Sequence, residues 1–322
     1  MTLCGRNPPV YLFYRRGVGE MMQQKIKLAS NSGLTHVDVE FDPEYHAVWA
    51  KLRYPDRPCI SNGLINDLQQ VQSLVSSLAK KGHKSDDPER LRYQILCSSQ
   101  PGVFCLGGDL DLFIKLIRQG DRTKLADYAK DCIDILYASI TGYNLPFTTI
   151  ALVQGETLGG GFEAALAANV LIAERSSKFG FPETVFGMFP GMGAFSFLAR
   201  KIAPAMAKRI ISSGKVYTAD ELYQLGVVDQ VVDDGKGVAA VREFIRHQQV
   251  RSAGFEGLEK VMEQFNPLSY KELMDVVNIW VDTAMKLSGK NLRLMEYLVN
   301  AQNKRWSASK ESTTVLQQVS SA

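Results

Sequence analysis

The chain has 322 residues, 45% hydrophobic and 22% charged, a composition that supports a large buried core and excludes a disordered or fibrous protein. Its 37 Lys+Arg against 34 Asp+Glu leave a net charge of +3, too weak a field to displace counterions from nucleic-acid phosphates. The five cysteines (4, 59, 97, 105 and 132) form no C-x-x-C pair and the four histidines (36, 46, 83 and 247) lack metal-ligand spacing, so reduced thiols and no metal are expected.

Residues 1 to 33 form an N-terminal extension with weak periodicity. Val10-Tyr-Leu-Phe-Tyr14 runs straight into Arg15-Arg16, unlike a signal peptide, and no apolar run approaches the roughly 20 residues that span a bilayer. A cytoplasmic protein is expected. From Leu34, Val37, Val39 and Phe41 alternate with polar residues, as do Val48, Ala50 and Leu52 after a short turn, which predicts a β-hairpin. Leu64, Leu68, Val71, Val75 and Leu78 recur at three- and four-residue steps, one face of a helix.

Three short apolar runs follow, Tyr93–Cys97, Thr149–Val153 and Val170–Ala173, separated by helical patterns such as Leu125, Tyr128, Cys132, Leu136 and Ile140. Strands alternating with helices predict an α/β fold with a largely parallel, buried sheet. Gly226–Val232 reads as one more strand near an edge. Residues 34–265 form the core, 266–306 a helical region with Leu273, Val277, Trp280 and Val281 on one face, and the polar stretch from Ser307 reads as a frayed tail.

Familiar phosphate and nucleophile motifs are absent. Gly214-Lys215 lacks the upstream P-loop glycine, Gly191-Met-Gly193 has no third glycine, and no Gly-x-Ser-x-Gly occurs, which argues against a P-loop phosphate cradle, a dinucleotide cofactor and a serine hydrolase. Two glycine-rich strand-to-helix junctions remain, Leu106-Gly107-Gly108-Asp109 and Leu158-Gly159-Gly160-Gly161-Phe162-Glu163. Each leaves backbone N–H groups at a positive helix end, which suits a developing oxyanion, although one such turn alone is more often structural. Glu183, after Pro182 in an apolar stretch, would have its pKa raised by burial into the useful acid–base range. Asp109 and Asp111 read as helix-start residues, the histidines as solvated or capping groups, and Trp280, on spacing alone, as core.

Taken together, Phe104-Cys-Leu-Gly-Gly-Asp109, Gly159-Gly-Gly-Phe-Glu163, Phe181-Pro-Glu183, Pro190-Gly-Met-Gly193 and Tyr217–Asp229 resemble the crotonase, or enoyl-CoA hydratase/isomerase, superfamily. The resemblance implies a spiral of ββα units with a C-terminal helical region that builds trimers or paired trimers. Gly107–Asp121, Phe189–Arg200, Ile279–Met285 and Leu294–Gln302 more closely resemble the diffusible signal factor synthases, bacterial enzymes that make cis-2-unsaturated fatty acid signals. That likeness implies Glu163 and Glu183 as the catalytic pair, the N–H groups of Gly108 and Gly160 as the oxyanion hole, and Leu106, Gly159, Gly161, Met192 and Trp280 in the substrate pocket. Leu106 replaces the small Ala of many crotonases, which would narrow the thioester entrance.

The implied activity is dehydration of a 3-hydroxyacyl chain on acyl carrier protein followed by thioester hydrolysis, with no cofactor and with a sensor or regulatory protein as a further partner. The alternatives are a CoA-dependent hydratase or isomerase that keeps its thioester, and a regulatory binding protein on the same scaffold.

Overall fold

The computed structural model describes residues 33–84, 90–250 and 252–320; the N-terminal extension, with Cys4, lies outside them. The first two strands, β1 (Val37–Asp42) and β2 (Ala47–Leu52), pair antiparallel as the predicted hairpin. Helix α1 (Asn62–Lys84) follows, with Leu64, Val71, Val75 and Leu78 buried.

Three ββα turns then build the spiral. In the first, β3 (Tyr93–Ser98) and β4 (Gly102–Cys105) lead to α2 (Leu110–Gln119) and α3 (Arg122–Ile140). In the second, β5 (Thr148–Val153) and β6 (Gly155–Leu158) lead to α4 (Gly160–Leu166). In the third, β7 (Val170–Glu174) and β8 (Lys178–Gly180) lead through a 3₁₀ turn, Pro182–Phe186, to α5 (Ala194–Lys201) and α6 (Pro204–Ser213). The first strand of each pair joins a six-stranded sheet, β1-β2-β3-β5-β7-β10, and the second joins a four-stranded sheet, β4-β6-β8-β9. Here β9 is Val216–Thr218 and β10 is Gln230–Val232, with the short α7 (Ala219–Gln224) between them.

The large sheet is parallel from β2 to β10 and covered on both faces, which is why its strands read as continuous apolar runs. Ile150 and Leu152 of β5 face Val241 and Ile245 of α8 (Gly237–Val250), whereas Ala151 and Val153 face the main core. Of the strand expected over Gly226–Val232, only the last three residues pair, at the sheet edge beside β7. Before them Asp229 already bonds to β7, its N–H donating to Leu171 O and its side chain accepting from Leu171 N–H, whereas Val227 N–H turns back to Leu222 O.

Helices α9 (Ser252–Phe265), α10 (Tyr270–Ala284) and α11 (Gly289–Ser320) complete the chain. The α10 stripe Leu273, Val277, Trp280, Val281 is buried, largely against α3. The boundary expected at Ser307 falls inside α11. Among the described residues no helix is long and apolar enough to cross a membrane.

Candidate active site

Both glycine junctions end strands of the small sheet, so the parallel pairing of β4 with β6 brings them side by side. The first is tethered to the segment before α1: Leu106 N–H donates to Pro58 O at 2.7 Å and Ile60 N–H to Gly107 O at 2.8 Å. Asp109 caps α2 through Leu112 N–H, and Arg57 reaches Asp109 and Asp111 at 3.1 and 2.8 Å, so both aspartates serve the helix start. Gly108 N lies only 3.5 Å from where a Cβ on Gly160 would stand. Neither the Gly108 nor the Gly160 N–H donates to a protein acceptor in the hydrogen bonds of the described residues, which leaves two donors for a ligand oxygen.

Glu163 sits in the first turn of α4 and is wholly buried. Its Oε1 accepts from Met192 N–H at 2.7 Å and Ala194 N–H at 3.0 Å, while Oε2 is sealed from solvent without a partner. Burial pushes its pKa up to about 7, against the opposing pull of those two N–H donors. Glu183, on the 3₁₀ turn after β8, is half-buried as a residue, yet its Oε2 is also sealed and unpartnered. Burial, then the neighbouring Glu163 charge, pushes Glu183 up to about 8. An unsatisfied carboxyl oxygen costs free energy in a resting protein, and here two belong to carboxyls that line the same space.

That space is a cavity of about 170 Å³ lined by both glutamates, Gly107, Gly108, Gly159 and Gly160, with mostly apolar walls. Leu106, Met192 and Trp280 line it as well, and Trp280 is held edge-on to Phe113 at 5.2 Å between ring centroids. Gly159 is at φ +50°, and any side chain there would collide with the Glu183 carboxylate. Gly161 is placed differently from the other pocket residues expected from the sequence. It lies outside the cavity, where a Cβ would meet Cys105 Cβ at 2.7 Å, so it lets α4 pack onto β4.

Sequence reasoning missed Phe113 and Met188, and it missed the far wall made by Met295, Leu298 and Gln302 of α11. The apolar stripe of α11 carried the signal, but nothing local says which surface such a stripe covers. The buried cysteines 59, 97, 105 and 132 are free thiols. No group of three or more His, Cys, Asp or Glu residues able to hold a metal occurs among the described residues.

A ββα spiral with paired carboxyls opposite two open backbone donors is the crotonase arrangement. A model of the enoyl-CoA hydratase/isomerase family matches residues 56–303, and the chain belongs to that family. Among curated relatives, the mitochondrial methylglutaconyl-CoA hydratase of Rattus norvegicus is 33% identical over 177 residues, 54% of this chain and 53% of the rat protein. The probable enoyl-CoA hydratase 2, mitochondrial, of Arabidopsis thaliana is 28% identical over 252 residues, 77% and 74% of the two chains. The chain spans about half the length of the mammalian relatives it matches. The crystal structure of human mitochondrial delta3-delta2-enoyl-CoA isomerase shares the fold, with a TM-score of 0.67 at 19% identity over 84% of this chain and 99% of that one.

Proposed function

We propose that the chain dehydrates a 3-hydroxyacyl thioester and then hydrolyses the thioester, releasing a free cis-2-unsaturated fatty acid as a diffusible signal factor synthase does. The observation that carries the first half is a pair of glutamates, each with an unpartnered buried carboxyl oxygen, that line one apolar cavity beside two open N–H donors. The thioester oxygen accepts from Gly108 and Gly160 N–H, which stabilise the enolate left when one carboxylate removes the α-proton. The other, protonated, carboxyl delivers its proton to the departing β-hydroxyl, so that water leaves and the α,β double bond forms. Two carboxyls raised to about 7 and about 8 share one proton near neutrality, the state this step requires. The relatives named for CoA thioesters support a thioester substrate.

The release step rests on the likeness of Gly107–Asp121, Phe189–Arg200, Ile279–Met285 and Leu294–Gln302 to the signal synthases. The same N–H pair would hold the tetrahedral oxyanion when a glutamate-activated water attacks the thioester carbon and the thiol departs. Acyl carrier protein as the donor, assembly into trimers and a regulatory partner belong to the same proposal.

Mass spectrometry of products from 3-hydroxydodecanoyl carrier protein and from its CoA counterpart tests it. Free cis-2 acid, made preferentially from the carrier-protein substrate, is expected. Enoyl-CoA with no released acid would make the chain a CoA-dependent hydratase, and turnover of neither substrate would favour a binding scaffold.

A further inference from the structure

A second cavity, of about 60 Å³, lies behind the first, between the large sheet and helices α1 and α3. Its walls are mainly Leu, Ile, Ala and Cys side chains. Three of the polar groups that reach it are engaged: Gln72 Nε2 donates to Ile135 O at 2.8 Å, Tyr143 OH donates to Gln94 Oε1, and Thr149 Oγ1 donates to Ser139 O at 3.1 Å. Walls so largely apolar favour apolar atoms over water. By the 10–30 Å³ scale of a water-sized group, it holds roughly two to six methylenes.

Met192 lines both cavities. Its Cε and Ile60 Cδ1 lean over the same glycine at the floor of the candidate site, within 2.6 and 2.9 Å of where a Cβ on Gly160 would stand. The backbone of Met192 is fixed by its N–H bond to Glu163, whereas its side chain is unbranched, with three rotatable bonds and a polarizable tip that refits easily. The partition between the two spaces is therefore a thioether held at its root and adjustable at its end.

We propose that the second cavity is an annex of the acyl pocket, opened by rotation of the Met192 side chain, and that it takes the last few carbons of the acyl chain and so sets chain-length preference. This rests on the acyl-thioester reading above. Each methylene moved from water into the annex is worth about fourfold in kcat/KM.

The test is a kcat/KM profile over 3-hydroxyacyl carrier proteins from six to fourteen carbons. The wild-type protein is compared with Ser139→Leu and the smaller Ala168→Val, both of which fill the annex, and with Met192→Ala, which opens the partition. The filled variants are expected to lose about tenfold or more on the longest chains the wild type uses, with the optimum two or more carbons shorter. Met192→Ala is expected to shift preference towards longer chains. Folded variants with the wild-type profile would overturn the annex while leaving the acyl-thioester reading intact. A wild type that turns over no chain length would overturn that reading and the annex with it.

Discussion

Glu183→Gln tests whether the site truly holds a carboxyl against its desolvation. In the folded chain burial, then the Glu163 charge, pushes this group up to about 8 from the 4.5 of an ordinary glutamate. Between those values the folded state binds more protons than the unfolded one, so stability is full below pH 4.5 and is lost as pH rises through about 8. Integrated from pH 6 to pH 9, Glu183 alone removes about 3 kcal/mol, which its partial exposure discounts to about 2 kcal/mol. Gln has the same shape and no charge to desolvate, so the variant should keep that stability. Urea unfolding of both proteins at pH 6 and pH 9 reads the difference, since the titrating groups other than Glu163, which is coupled to Glu183, cancel in the comparison. A variant that loses as much stability as the wild type across this interval would show that Glu183 is not held neutral by burial, and the acid–base assignment would fall with it.

Glu163→Gln keeps the Oε1 acceptor for Met192 and Ala194 N–H, so it should fold normally yet lose about 10² to 10⁴ in turnover, checked by product formation alongside circular dichroism. The rate should follow a bell in pH, falling below about 7 as the base is protonated and above about 8 as the acid ionises; a profile flat from pH 5 to 9 would contradict a shared proton. Gly159→Ala places a methyl against the Glu183 carboxylate at φ +50° and should cost at least about 1 kcal/mol in thermal denaturation as well as most of the activity. Tyr128 OH donates to Ile60 O at 2.6 Å beside the Gly108 turn, so Tyr128→Phe should destabilise by about 1 kcal/mol in chemical denaturation, the net worth of one part-buried hydrogen bond.

Local patterns carried much of this protein. The hairpin, the long helices and the buried parallel strands were legible because periods of 2 and 3.6, and uninterrupted apolar runs, are written residue by residue. The four-stranded sheet was not, because β8 and β9 are three residues each and β4 and β6 four, too short to show a period. Its consequence is the site itself: pairing β4 with β6 is what sets Gly108 against Gly160.

Glu163 and Glu183 could be named from the sequence, since a glycine turn and an apolar loop mark them, and the family resemblance assigned their roles. What made them an interacting pair was tertiary. Their burial, the two N–H groups from the start of α5 on Glu163, and the charge of one acting on the other arise from elements distant along the chain. The far wall from α11 and the annex behind Met192 belong to the same category. Residue type and spacing determine which groups can take a proton or leave an N–H open. Which of them share a cavity depends on how segments 100 or more residues apart are brought together, as Gly191 and Met192 are with Met295 and Leu298 around the same space, and no local pattern encodes that distance.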